Sequence, residues 1–153
     1  VAGGAERQHS VRRGIDAVRR AELVAIHDAA RPFVTPAIID AAIAAARLHG
    51  AAIVATPATD TVKVVDAERR ITSTPPRGHT WLAQTPQVFR TDLIRAAHEH
   101  AGDDASATDD AVLVERLGHR VVVVPGEPGN RKITTADDLR WAEWYLQRSA
   151  APR

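Results

Sequence analysis

An acid and an arginine lie three residues apart in Ile26-His27-Asp28-Ala29-Ala30-Arg31-Pro32, directly after the apolar run Leu23-Val24-Ala25-Ile26. The run reads as a buried strand, so both charges fall on the turn that leaves it. In an open α/β sheet, ligands bind at the carboxyl ends of the strands. An acid there can hold a metal ion or a ribose hydroxyl, and an arginine can fork onto a phosphate. Taken alone, the pair fits equally well a turn whose Asp caps backbone amides and whose Arg is solvated. Further phosphate-competent groups recur at loop positions: Thr61 and Lys63 after a second strand, Arg77 and Thr85 beyond a hairpin, Thr108 at a helix start, and Lys132 before the last helix. Singly, each is an ordinary surface residue. Their repeated placement at strand exits carries the weight, because those ends converge on one face.

No nucleophile system is apparent. The chain has no cysteine, and its seven histidines lack metal-ligand spacing. His27, bordering a strand, reads as a structural hydrogen-bonding residue. The chemistry this set suits is electrostatic: it binds a phosphorylated substrate and neutralises its charge, and the substrate supplies its own nucleophile.

The elements that must position these groups alternate between strand and helix, which predicts an α/β fold with a mainly parallel sheet. A helix is expected over Val11 to Arg20 with Ser10 as N-cap. Thr35-Pro36 opens the clearest helix, with Ile38, Ile39, Ala42, Ile43 and Ala46 as its apolar face and Gly50 as a left-handed C-cap. Ala51 to Ala55 and Val121 to Val124 read as buried strands. Between Asp60 and Gln84, Val62-Lys63-Val64-Val65 and Arg70-Ile71-Thr72 form a hairpin around a charged turn at Asp66 to Arg69. It has little apolar surface of its own, so it needs something to pack on, a partner subunit being one candidate. Helices follow from Thr91 to about His98 and from Thr108 or Asp109 to Gly118, separated by a polar loop from Ala101 to Ala107. Thr135 and Asp138 have capping-box spacing for a last helix that buries Leu139, Ala142, Trp144 or Tyr145, and Leu146.

Composition bounds the function. The chain has 153 residues, one domain's length, and a formal net charge of +1, with no basic run interleaved with aromatics, which argues against a nucleic-acid module. No apolar stretch is long enough to span a bilayer.

The pieces Gly3-Gly4-x-x-Arg7-x-x-Ser10-Val11, His27-Asp28-Ala29-Ala30-Arg31-Pro32, Asp60-Thr61-Val62-Lys63, Arg77 followed by Trp81 and Gln84-Thr85-Pro86-Gln87, Thr108-Asp109-Asp110-Ala111, and Lys132-Ile133-Thr134 run in order along nearly the whole chain. Together they resemble the C-terminal two-thirds of the 2-C-methyl-D-erythritol 4-phosphate cytidylyltransferase family. The resemblance implies a Rossmann-like nucleotidyltransferase sheet, mostly parallel, with residues 60–84 as a protruding β-arm that dimerises. It implies one nucleotidyltransferase domain over 1–153 that joins CTP and methylerythritol phosphate, with Mg²⁺ as cofactor, in the cytoplasm or, in a eukaryote, a plastid. It also implies the roles of single residues. Arg77 and Lys132 would hold the attacking phosphate, and Thr61, Thr85 and Thr108 would bind the substrate, Thr61 and Arg77 reaching the partner subunit's site. Asp28 would contact substrate hydroxyls or assist the metal–nucleotide end, with Arg31 beside the pocket. Gly3, Gly4, Ser10, Asp28 and Ala29 would lie at the nucleotide.

The family's first strand and its glycine-rich loop, with an Arg and a following Lys, have no counterpart here. With methionine absent throughout, the expectation is that Val1 is not the biological start. The alternatives are a dimeric module that binds sugar phosphate without turnover, and a nucleotidyltransferase for another sugar or polyol phosphate.

Overall fold

Four strands form the main sheet: β1 (Leu23–Ile26), β2 (Ala51–Pro57), β5 (Trp81–Arg90) and β6 (Val122–Pro125), in the spatial order β1-β5-β2-β6. A separate two-stranded sheet pairs β3 (Val64–Val65) with β4 (Ile71–Ser73). The helices are α1 (Arg7–Ala17), α2 (Pro36–His49), α3 (Thr91–Ala101), α4 (Asp110–Arg116) and α5 (Ala136–Ser149). This computed structural model of the chain describes residues 1–102 and 107–149. The inner part of the loop expected from Ala101 to Ala107 lies outside the described residues.

The expectation of a mostly parallel sheet is corrected. β5 runs antiparallel to β1, with Val24 opposite Phe89, and antiparallel to β2, with Ala52 opposite Val88. Among the described residues, β2 and β6 form the one parallel pair. Gln84-Thr85-Pro86-Gln87 carries no strand signal, because it is polar and contains proline, which usually excludes a central strand. Yet residues 84–89 of β5 are buried.

Two apolar layers flank the sheet. On one face α2 lays Ile38, Ala42 and Ala46 against Ala52, Val54, Val88 and Val124. On the other, Ile15 of α1, Ile94 and Ala97 of α3, and Leu113 and Val114 of α4 pack on Ala51 and Phe89. Strand alternation sends Ala51 and Phe89 to one face and Ala52 and Val88 to the other. The predicted ends of α2 hold: the Thr35 hydroxyl accepts from the Ile38 N–H, and Gly50 closes the helix at φ 85°.

Other expectations shift. α1 starts at Arg7 with Glu6 as N-cap, so Ser10 lies inside the helix, where its hydroxyl receives the Gly4 N–H at 2.9 Å. Asp109, not Thr108, caps α4, accepting from the Val112 N–H. The Thr135–Asp138 capping box forms reciprocally, with the Asp138 N–H on the Thr135 hydroxyl and the Thr135 N–H on the Asp138 carboxylate. On α5, however, Leu139, Trp144 and Leu146 are exposed and Ala142 is buried. Trp141 and Tyr145 stack at 4.9 Å and pack edge-on to Phe33, and this aromatic contact takes the place of the expected stripe. In the hairpin, Asp66 closes the charged turn by accepting from the Glu68 and Arg70 N–H groups. Val64, Val65 and Ile71 are exposed.

Candidate active site

The carboxyl end of β1 hands the chain to His27 and Asp28, beside the buried middle of β5. The hydroxyl of Thr85 joins the two strands there. It accepts the Asp28 N–H at 3.0 Å and lies 2.9 Å from His27 Nδ1. His27 Nε2 is 3.0 Å from the Arg31 carbonyl, which can only accept. In the neutral imidazole Nε2 therefore carries the proton, and Nδ1 accepts from the Thr85 hydroxyl. Both functions of that hydroxyl are engaged in shaping the turn, and His27 has the structural role its sequence position suggested.

A cavity of about 240 Å³ opens in front of this turn, lined by Asp28, Arg31 and Thr85 together with Arg7, Thr108 and Lys132. Three cations converge on the Asp28 carboxylate. Lys132 Nζ lies 3.2 Å from Oδ2, Arg31 Nε 3.5 Å from Oδ2, and Arg7 Nε 3.6 Å from Oδ1. Burial pushes this carboxyl up. The Lys132 hydrogen bond and the charges of Lys132, Arg7 and Arg31 outweigh that and hold it below the ordinary carboxylate range.

Each cation is held differently. Lys132, on the loop before α5, is 45% exposed and has Asp28 as its ion-pair partner. Arg31 is 12% exposed, and its guanidinium donates to the carbonyls of Asn130 at 2.8 Å and Ala83 at 3.4 Å. It ties the loop at Asn130 to strand β5 rather than presenting a free fork to a phosphate. Arg7 donates to Asp110 at 2.8 Å.

Amide side chains from β5 and the 126–132 loop carry the frame. Fully buried Asn130 donates Nδ2–H to the Thr85 carbonyl at 2.8 Å and to Gln84 Oε1 at 3.2 Å. Gln84 donates to the Glu127 carbonyl, and Gln87 donates to Asp109 while accepting the Ala111 N–H. The loop can approach this closely because Gly126 has no side chain: a Cβ there would fall 2.4 Å from Gln84 Oε1 and 2.7 Å from Val54 Cγ1.

Of the expected site residues, Asp28, Arg31, Thr85, Thr108 and Lys132 meet in the cavity. Thr61 and Arg77 do not line it; both are exposed, and Arg77 reaches only the Thr59 carbonyl at 3.4 Å. Gly3, Gly4, Ser10 and Ala29 also lie outside the lining. Gly4 is required locally, since a Cβ would sit 2.3 Å from that of His9. Arg7, Gln84, Gln87 and Asp109 stand within the quoted motifs without an expected site role, and Asn130 stands outside them. No sequence signal marked Asn130.

The described side chains build no metal cage of their own. Among the described residues no three His, Asp or Glu side chains gather as a metal cage, and both Asp28 oxygens face cations. Among the described residues no helix is long and apolar enough to cross a membrane.

Comparison with known proteins gives this geometry a context. Residues 1–148 match the model of the family "IspD: 2-C-methyl-D-erythritol 4-phosphate cytidylyltransferase". The chain is 53% identical over 150 residues to the 2-C-methyl-D-erythritol 4-phosphate cytidylyltransferase of Syntrophus aciditrophicus, covering 97% of this chain and 64% of that protein. It is 51% identical over 152 residues to the Geobacter metallireducens protein of the same name, covering 96% of this chain and 65% of that one. A crystal structure of 4-diphosphocytidyl-2C-methyl-D-erythritol synthase from Anaerococcus prevotii superposes with a TM-score of 0.90 at 39% identity, over 97% of this chain and 69% of that one. A Thermus thermophilus 2-C-methyl-D-erythritol 4-phosphate cytidylyltransferase superposes with 0.86 at 40% identity, over 96% and 72%. The chain thus spans about 64% of the length of such curated relatives. With nearly all of its residues inside the family's pattern and its fold superposing on solved members, this chain belongs to the 2-C-methyl-D-erythritol 4-phosphate cytidylyltransferase family.

Proposed function

We propose that the cavity binds the phosphate of 2-C-methyl-D-erythritol 4-phosphate and presents it to CTP. A phosphate oxygen of the sugar phosphate attacks the α-phosphorus of CTP, a P–O bond forms there, the bond to the β-phosphate bridging oxygen breaks, and pyrophosphate leaves. The observation that carries this reading is the convergence of Lys132, Arg31 and Arg7 on one carboxylate beside the Thr85 and Thr108 side chains. Lys132 is the mobile partner: it exchanges Asp28 for the incoming phosphate and offsets the repulsion between two anionic reactants. Asp28, freed on one oxygen, accepts from a substrate hydroxyl. In this reading Gly4 and Ser10 serve the cytosine ring, and Gly3 and Ala29 contribute to nucleotide binding. A divalent cation would supply charge neutralisation on the nucleotide, with Asp28 as the carboxylate of the cavity that assists it.

Thr61 and Arg77 act in this reading from a second copy of the chain. Pairing through the β3–β4 hairpin would cover exposed Val64, Val65 and Ile71 and carry Arg77 to the partner's cavity. Arg77→Ala is expected to lower kcat/KM for the sugar phosphate by about 10²-fold or more and to leave CTP binding intact. Mixing Arg77→Ala with Lys132→Ala subunits should restore activity, since one site of each mixed dimer then has both residues; no recovery would place Arg77 in its own subunit's site.

The deciding experiment is pyrophosphate release from CTP with and without methylerythritol phosphate, on this chain and on the chain joined to the segment its relatives have in addition. Release that depends on the sugar phosphate in either form supports the reading. Release with neither form, together with no saturable sugar-phosphate binding, overturns it.

A further inference from the structure

Among the described residues that line the cavity, Arg7 alone joins two carboxylates: Asp110 at 2.8 Å through Nη1, and Asp28 at 3.6 Å through Nε. The two ends differ in character. Asp110 is 1% exposed and its other oxygen takes the Nε2–H of His98, itself 2% exposed. That end is a fixed post inside the layer formed by α1, α3 and α4. Asp28 stands at the cavity wall. The same guanidinium therefore transmits a rigid buried anchor to the one carboxylate on which the cavity's cations converge.

On this basis, and resting on the reading that the cavity takes a phosphate, we infer that Arg7 is a positioning residue that holds Asp28 from behind so that Lys132 can be released to the substrate. Asp28 draws Lys132 and Arg31 to Oδ2, and Arg7 faces Oδ1. When Lys132 moves to a phosphate, Asp28 loses one of its compensating charges while an anion arrives nearby. A carboxylate left short of partners either retains the lysine or turns away. Arg7 removes both outcomes, because its planar fork is already locked on Asp110 and needs no rearrangement to keep its charge against Oδ1. A lysine at this place could meet one carboxylate but not both in fixed geometry. Arg7 thus acts through Asp28 and does not need to touch the anion.

That distinction can be read with inorganic phosphate as the probe, independent of which sugar phosphate is the substrate. Phosphate affinity is measured by ³¹P NMR titration for the unaltered protein, Arg7→Gln, Asp28→Asn and the double variant, with Lys132→Ala marking the signal that belongs to the cavity. Arg7→Gln is expected to weaken binding about fivefold to tenfold when Asp28 is present and less than about twofold in the Asp28→Asn background, where no carboxylate competes for Lys132. Equal losses in both backgrounds would overturn the inference, as they would make Arg7 a direct anion contact or a purely structural residue. No loss in either background, or no Lys132-dependent phosphate binding at all, would also overturn it. Should Arg7→Gln fail to fold, Arg7→Lys keeps one charge and is expected to show the same background dependence at smaller size; equal effects in both backgrounds would again refute it. A positive result here with neither sugar-phosphate-dependent pyrophosphate release nor saturable sugar-phosphate binding would leave the role of Arg7 standing and sink the substrate assignment alone.

Discussion

Asn130→Ala tests whether the cavity's frame is held by buried amides. Asn130 is fully buried, and its Nδ2 donates to the Thr85 carbonyl at 2.8 Å and to Gln84 Oε1 at 3.2 Å. Truncation deletes both bonds and leaves two acceptors facing a small hole. Two neutral hydrogen bonds contribute about 1–3 kcal/mol net, and the stranded acceptors add to the loss. Against this, Asn130 Oδ1 has no protein partner, and removing it takes away a desolvated polar atom. The balance is about 2 kcal/mol, which for a chain of this size lowers Tm by roughly 4–8 °C. Thermal unfolding followed by circular dichroism reads it directly. Because the Asn130 carbonyl also receives Arg31 at 2.8 Å, sugar-phosphate binding should weaken in parallel. A Tm shift below about 2 °C with unchanged binding would refute the reasoning. It would mean that the backbone bonds from Gly126 to Ala55 and from Ile133 to Ala30, each 2.7 Å, hold the loop without the amide.

Other perturbations separate the remaining contributions. Lys132→Ala should lower kcat/KM for the sugar phosphate by about 10²–10³-fold while scarcely moving Tm, because a half-exposed ion pair contributes little to stability; a large Tm loss would recast Lys132 as structural. Gly126→Ala pushes a methyl into Gln84 Oε1 and Val54 and should cost about 1–3 kcal/mol by overpacking. Combined with Asn130→Ala the loss should be less than additive, since both act on Gln84 Oε1. Asp138 accepts from the Thr134 N–H, the Thr135 hydroxyl and N–H, and Arg131, and these hold its carboxyl well below the ordinary range. A depressed folded pKa stabilises fully above the unfolded value near ~3.9 and is lost as pH falls toward the folded one. Asp138→Asn should therefore lower Tm at neutral pH, with the gap to the parent closing on acidification below about pH 4; a gap constant with pH would refute the assignment.

How far the sequence carried the fold depended on whether the local signal and the burial agreed. α2 was legible end to end because Thr35, Pro36 and Gly50 mark its ends and its apolar face repeats at helical spacing. β5 was not, because Gln84, Thr85 and Gln87 are buried for their hydrogen bonds rather than for their hydrophobicity. Missing that one strand reversed the expected sense of the sheet, since it is antiparallel to both of its neighbours. The α5 stripe held at Ala142 and Tyr145 and failed at Leu139 and Leu146: helical spacing marked the two leucines, but the contact with Phe33 falls on the Trp141–Tyr145 side. At the site, charged residues at strand exits were readable as a set. Their partners were not, because nothing in the local sequence says that Arg7 meets an acid 103 positions away.

In the proposed reading, the same pairing explains why a cavity for phosphate would hold a carboxylate at its centre. Arg7, Arg31 and Lys132 packed together without compensation would repel one another and lose hydration at once. Asp28 lets them assemble in advance, and Asp110 balances Arg7 from behind. Arg31 is committed to carbonyl groups and Arg7 to Asp110, so their positions are set before any ligand arrives. Lys132, 45% exposed and on a loop, is the charge that can move. In the proposed reading a dianionic phosphate would outcompete the monoanionic carboxylate for it, and the energy of that exchange would depend on how firmly Asp28 stays in place once Lys132 has gone. Selectivity for phosphate over monoanionic carboxylates would then follow from the competition for Lys132: Asp28→Asn should bind inorganic phosphate more tightly and also gain affinity for acetate and formate. If Asp28→Asn gains no affinity for these carboxylates in competition titrations, the carboxylate is not what holds Lys132 in reserve.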